Sequence, residues 1–321
     1  MSHYAGHGSA GELQSTVSAS ASSGADVLPW LSAVQAHLGE LASTNQLHHA
    51  LLFTGPIGIG KHLVAQHLAK QLLCLQPFTD SACGYCKSCL LVAAGHHPDR
   101  LELKSDQTIG VDAVRELSQF MQGAPQQGGA RVVLLPQAHK MTEAAANALL
   151  KTLEEPGRDS FLLLQTAFEQ QLLPTILSRC QRWLIAPVND HTAMQWLSSQ
   201  SHRPIPDYLL AYCAGAPLRA LQLLTSGESE QIDQILQLLP RFICGEYALT
   251  EMVKTLEARS DATTILYWFV HQSGRLMTDH RQCQQLFQRL AQWCRDEQQI
   301  LGQNRTLALT ALLLDVQRLL R

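Results

Sequence analysis

The chain has 321 residues, 46% of them hydrophobic, which is enough for two or three domains with real cores. Its 24 basic residues against 27 acidic ones leave a formal charge of -3, which excludes strong independent binding to nucleic acid, because such affinity rests on neutralising phosphates. No apolar run has the length of a membrane span and the first residues carry neither a basic segment nor an apolar signal core, so a cytoplasmic protein without a membrane partner is expected.

Residues 1–26 are mostly Ser, Ala and Gly, with Leu13 and Val17 as the only aliphatic side chains larger than alanine, and are expected to be a disordered tail. From Pro29 the spacing of Trp30, Leu31, Val34, Leu38 and Leu41 predicts a helix. His48 and His49 then lead into Ala50 to Thr54, an apolar run that reads as a buried strand on which the two rings would face opposite ways. Directly after it comes Gly-Pro-Ile-Gly-Ile-Gly-Lys-His, Gly55 to His62, followed by a helix with Val64, Leu68, Leu72 and Leu75 on one face.

Strand, loop and helix in this order are the setting of the G-x-x-x-x-G-K-[ST] phosphate-binding loop. Gly55, Gly58 and Gly60 let the backbone turn its N–H groups inward, and Lys61 supplies a cation. The last position departs from the pattern: a Ser or Thr hydroxyl would ligate Mg²⁺, and His62 has none. ATP or ADP binding is therefore open, and hydrolysis is not expected.

Cys74 and then Cys83-Gly84-Tyr85-Cys86-Lys87-Ser88-Cys89 follow. Four thiolates at C-x8-C-x2-C-x2-C spacing describe a closed structural zinc site, more than an iron–sulfur cluster or a redox pair. His96-His97-Pro98-Asp99 reads as a turn, Leu101 to Lys104 as a second strand, and Val111, Val114, Leu117 and Met121 as the face of a helix. A turn at Gly128-Gly129 precedes the apolar strand Arg131 to Leu135. In P-loop ATPases that strand ends in acids that hold Mg²⁺ and activate water. Here it runs into Pro136-Gln137-Ala138-His139, without either acid.

Thr142 is placed to cap a helix that stops at Glu155-Pro156-Gly157, Phe161 to Thr166 reads as another strand, Leu172 to Leu177 as a short helix, and Trp183 to Ile185 as a last strand. The alternation of helix and strand predicts a parallel sheet covered on both faces. Beyond Pro187 only helical spacing remains, as in Ile265, Leu266, Phe269, Val270 and Leu276, or Leu309, Leu312, Val316 and Leu319, with Gly215, Pro217, Gly227 and Pro240 as punctuation.

Several of these stretches together resemble the delta-prime family of bacterial DNA polymerase III clamp-loader subunits, within the AAA+ class. They are His48-His49-Ala50-Leu51-Leu52, the inserted cysteines, His97-Pro98-Asp99, Gly110-Val111-Asp112-Ala113-Val114-Arg115, the run from Ala145 to Pro156, and Ser178-Arg179-Cys180. The resemblance covers Leu47 to Arg182 in motifs and the rest more loosely. It implies an AAA+ P-loop domain over 27–187 with a zinc module inserted at 74–89, a small helical lid at 188–228, and an all-α collar for oligomerisation at 229–321. It further implies that Arg179, flanked by Ser178 and Cys180, is an arginine finger serving a neighbouring subunit's ATP. Thr166 falls where such proteins sense the γ-phosphate, and Leu218 stands where a second sensing Arg is expected, with Arg219 one step off. The implied partners are the gamma/tau motor subunits, the delta subunit and, through the complex, the sliding clamp and primer-template DNA. An ATPase motor subunit with substituted Mg²⁺ ligands and a zinc-dependent nucleic-acid binder are the alternatives.

Overall fold

The computed structural model describes residues 28–103, 108–277, 279–299 and 304–321, so the tail expected at 1–26 lies outside the described residues. Five strands, β1 (Ala50–Thr54), β2 (Arg100–Glu102), β3 (Arg131–Leu135), β4 (Ser160–Thr166) and β5 (Gln181–Leu184), form one sheet in the order β2-β3-β4-β1-β5. Every pair is parallel, with Leu52 beside Leu164 and Val133 beside Leu162 in the register. β1 and β3 are buried along their whole length. Side chains that alternate along a strand feed two layers. Ala50, Leu52, Val133, Leu135, Leu162 and Leu164 pack with Val114, Leu117 and Leu149, while Leu51, Phe53, Val132, Leu134 and Leu163 are buried on the opposite face. Each such leucine removed from water contributes about 1.5–3 kcal/mol.

The helices of this part are α1 (Ser32–Ser43), α2 (Lys61–Leu73), α3 (Lys87–Ala93), α4 (Val111–Gln122), α5 (Glu143–Glu154) and α6 (Pro174–Leu177). Thr142 caps α5 as expected, its hydroxyl accepting from Ala145 N at 3.2 Å, and α6 begins on Pro174, whose missing N–H costs nothing at that position. After β5 come α7 (Asp190–Gln200), α8 (Leu209–Tyr212), α9 (Pro217–Ser226), α10 (Glu228–Cys244), α11 (Leu249–Glu257), α12 (Ala262–Leu276), α13 (His280–Gln299) and α14 (Arg305–Leu320), with no further strand among the described residues. The described chain divides into two compact units: residues 28–200 with Cys213–Ala220, and Ser201–Tyr212 with Leu221–Arg321. In the second unit Ile265, Leu266, Val270, Leu309, Leu312, Val316 and Leu319 are buried, as their spacing predicts.

Several boundaries differ from the sequence reading. The last strand starts at Gln181 and ends at Leu184 rather than running from Trp183 to Ile185, because it is an edge strand, exposed at three of its four positions, where polarity carries no pattern. The second strand ends at Glu102 within the described residues, and Lys104 lies outside them. α2 stops at Leu73, so Leu75 leaves the expected apolar face and is 43% exposed. The short helix expected from Leu172 to Leu177 is the single turn of α6, starting two residues later at Pro174, and a separate 3₁₀ turn at Glu169–Gln171 precedes it. Pro240 does not punctuate anything: it sits inside α10. His48 and His49 lie just before the strand, and their rings lie side by side, tilted by 33° with centroids 4.3 Å apart, instead of facing apart.

Candidate functional site

Parallel strands end together, and the loops after β1, β3 and β4 therefore meet at one edge of the sheet. The loop after β1 is folded onto its own chain. Gly55 has φ 140°, and a Cβ there would stand 2.4 Å from the Ile185 carbonyl oxygen. Gly58 has φ 76° and packs against the backbone of Arg219 at the start of α9, leaving no room for a side chain. The Trp30 indole donates to Ile59 O at 2.8 Å, and Trp30 itself packs edge-on against Trp196 at 5.2 Å. Gly60 caps α2 with φ 109°.

Lys61 turns inward as well: Nζ donates to Gly55 O at 2.8 Å and to Pro56 O at 2.7 Å. Its stem keeps some contact with solvent, but burial of the amine pushes its pKa down to about 7. A lysine with that pKa is only partly charged at neutral pH, and two of the ammonium's three donors are already used. His62 takes the place of the Mg²⁺-binding hydroxyl. Its Nε2 lies 2.7 Å from the Gln66 amide nitrogen and 3.4 Å from Glu102 Oε1. Burial holds the His62 pKa below the ordinary value, against the opposing pull of Glu102 and the Gln165 amide. The neutral ring accepts from Gln66, and a proton on Nε2 would instead face Glu102. Glu102 is bound by Arg100 at 2.6 Å.

At the end of β3, Pro136 and Gln137 stand where acids would be required, and Gln137 has φ 53°. The buried amide nitrogens of Gln137 and Gln165 have no hydrogen-bond partner among the described residues. Thr166 is buried, and its hydroxyl accepts from Phe168 N at 2.9 Å and lies 3.1 Å from His139 Nδ1. Leu218 is buried as well. Lys61, His62 and Thr166 are thus engaged by the chain's own groups, while the amide nitrogens of Gln137 and Gln165 are not.

The Ser-Arg-Cys stretch follows α6 and sorts its three side chains. Cys180 is buried in the sheet's core, where its thiol pKa is pushed up to about 12 by burial. Ser178 is exposed and donates to Thr175 O at 3.1 Å. Arg179 keeps 35% of its side chain in solvent; Nε and Nη2 donate to Glu154 Oε1 at 2.8 and 2.6 Å, and Nη1 donates to Thr175 O at 3.0 Å. Glu154, the last residue of α5, was not singled out by the sequence; only a long-range contact makes it relevant.

The four cysteines converge as their spacing predicts. All four sulfurs lie within 4.8 Å of one another, with Cys74 to Cys86 and Cys83 to Cys89 both at 3.9 Å. Four sulfurs on a tetrahedral zinc ion at 2.3 Å would be about 3.8 Å apart, so the donor set fits the ion. Backbone N–H groups of Gln76 and Cys83 point at Cys74 Sγ, and those of Cys86 and Cys89 at the sulfurs of Cys83 and Cys86, at 3.3–3.4 Å, as suits thiolates. α2 ends at Leu73 so that Cys74 can adopt an extended backbone and reach this cluster. α3, which the sequence reading missed, begins on Cys86 as N-cap and carries Cys89.

A buried polar chain ties the module to the sheet. Ser88 donates to Leu73 O and accepts from His97 Nε2 at 2.7 Å, and His97 Nδ1 accepts from Asp99 N at 3.1 Å. Asp99, with no exposure, accepts from Gln126 N and Gln127 N at 2.8–2.9 Å and stands 3.5 Å from Arg131 Nε. His97-Pro98-Asp99 is thus more than a turn, and His97 serves the module without being a ligand.

The family model for "DNA polymerase III, delta subunit" matches residues 31–189. The chain is 40% identical to the DNA polymerase III subunit delta' of Pseudomonas aeruginosa over 72% of its own length and 71% of that relative. The chain belongs to the delta' family of DNA polymerase III subunits. Related to it are the tau subunits: that of Escherichia coli is 32% identical over 70% of this chain and 36% of the relative. Among solved structures, a gamma subunit-related protein of DNA polymerase III from Thermotoga maritima superposes with a TM-score of 0.52 over 88% of this chain and 99% of that one, at 19% identity, a likeness of fold alone. The expected AAA+ fold, a parallel-sheet domain followed by helices, is the one found. No helix among the described residues of this delta' member is long and apolar enough to cross a membrane.

Lys61 gives a signature in the pH dependence of stability. Its pKa falls from 10.5 to about 7 on folding, so between these values the unfolded chain binds more protons and stability rises with pH; below about 7 both states are protonated and the contribution is flat. Denaturant titrations from pH 6 to 10 are expected to show this rise in the parent chain and to lose it in Lys61→Met.

Proposed function

We propose that this delta' member is a non-hydrolytic subunit of the clamp loader, which completes the ring and supplies Arg179 to ATP bound by an adjacent gamma/tau subunit, so that the sliding clamp is loaded on primer-template DNA in the cytoplasm. The observation that carries this is a contrast within one chain. On its own side the Mg²⁺ ligand and the water-activating acid are replaced by His62, Pro136 and Gln137, and Lys61 is bound to Gly55 and Pro56. Arg179, by comparison, is partly exposed on a segment that Cys180 anchors in the core. A guanidinium held in that way can stabilise the charge that develops on a neighbour's γ-phosphate without any chemistry at home.

Other features take their place in this reading. The division into a P-loop-like domain at 27–187, a lid at 188–228 and a collar at 229–321 belongs to it, with the delta subunit as a further neighbour. Leu307 and Leu314, seven residues apart on α14, are 67% and 48% exposed and offer the collar an apolar strip for a partner helix. Cys74, Cys83, Cys86 and Cys89 hold one structural zinc, which fixes the fold of the insert and takes no part in catalysis.

Two measurements bear on this. In the reconstituted complex, Arg179→Ala is expected to slow the ATP site it serves on the order of 10³-fold, the lower range for fingers supplied in trans, so that total hydrolysis falls by that site's share; an unchanged total rate contradicts the role. Elemental analysis of the reduced chain is expected to return one zinc per chain and none after Cys83→Ser together with Cys86→Ser, with loss of protease resistance between residues 74 and 93.

A further inference from the structure

Glu154 sits at a place where a carboxylate has little reason to be. It is the last residue of α5, at the negative end of the helix, and Glu155 follows it. Its one strong partner is Arg179, whose Nε and Nη2 both donate to Oε1 at 2.8 and 2.6 Å, while Nη1 turns back to Thr175 O at 3.0 Å and Ser178 Oγ at 3.3 Å. The edge of the guanidinium that could grip a phosphate in bidentate fashion is thereby taken by the chain's own carboxylate. The pair is also exposed, with 35% and 51% of the two side chains in solvent, so it contributes little to holding the fold and is weak enough to exchange.

We propose that Glu154 is the resting counter-ion of Arg179, a latch that competes with the triphosphate of a neighbouring subunit for the Nε and Nη2 edge. This rests on the arginine-finger reading given above. In the separate chain the latch keeps the finger neutralised and folded onto α5 and α6. When the ring closes on a bound triphosphate, the phosphate oxygens take over the donors that Glu154 held, and the carboxylate returns to water. A triphosphate carries more charge than a diphosphate and displaces the carboxylate more readily, so release of the finger is coupled to the nucleotide that requires it.

The test is a double-mutant cycle in the complex reconstituted from the full chain and its ATPase siblings, with steady-state ATP hydrolysis followed over a range of ATP concentrations. Glu154→Gln keeps the size and an oxygen acceptor but removes the charge. It is expected to raise kcat/KM by about two- to fivefold, the range that an exposed pair of this kind spans. The gain should shrink as salt is added, since the competition is electrostatic, and should vanish when Arg179 is already Ala. The thermal midpoint of the separate chain should fall by no more than about 2–4 °C, the shift that the loss of so weak a pair produces. A fall in kcat/KM, no change in it while Arg179→Ala still slows hydrolysis, or a gain that persists in the Arg179→Ala background would overturn the latch and leave the finger standing. No effect of Arg179→Ala itself would bring down the finger reading, and the latch with it.

Discussion

A parallel sheet whose central strands are closed to water on both faces governs what the rest of this chain can do. Because β1, β3 and β4 run side by side in one direction, their C-terminal ends open onto one edge, and whatever residues follow them are forced together there. In an ATPase that convergence assembles a phosphate loop, a metal ligand, an acid and a sensor. In this chain the same architecture brings Lys61, His62 and Thr166 to that edge, each engaged by other groups of the chain, while the buried Gln137 amide nitrogen has no partner among the described residues. The loop carbonyls take the lysine, Gln66 and Glu102 flank the histidine, and Phe168 and His139 engage the threonine.

The electrostatic consequence is a division of labour between two cations. Lys61 is desolvated and its pKa lies near 7, so its charge at neutral pH is incomplete and directed at its own loop. Arg179 stands at the surface, and among the described residues its guanidinium is paired with the exposed carboxylate of Glu154. A phosphate arriving at the first would have to displace two carbonyl bonds from a half-neutral amine. At the second it meets a guanidinium whose present partner is weakly held. In the proposed function the residues that keep the loop identifiable therefore serve the fold, and the charge offered to a partner's nucleotide is that of Arg179.

Much of this was legible in the sequence where one local pattern decides the outcome. β1 and β3 are short apolar runs between turn residues, α5 has its cap at Thr142 and its stop at Pro156, and the cysteine spacing alone brings four sulfurs within 4.8 Å. What escaped depends on distant partners or lacks a period. β5 is an edge strand with exposed side chains, α3 is seven residues hidden among the clustered cysteines, and α2 ends where Cys74 turns into that cluster. The pairing of Glu154 with Arg179 spans 25 positions and that of Asp99 with Gln126 spans 27, and no propensity encodes either. His97-Pro98-Asp99 carried a signal that was underread, since a buried histidine and aspartate flanking a proline imply partners that a surface turn would not need.

The central claim is that the chain keeps the shape of a nucleotide site without its metal-dependent chemistry. Calorimetric titration of the isolated chain with ATP and ADP, each with and without Mg²⁺, addresses it most directly, with released phosphate measured in the same samples. The account predicts isotherms that Mg²⁺ leaves unchanged and no phosphate release. Affinity for ATP that rises tenfold or more with Mg²⁺, accompanied by turnover, would contradict it.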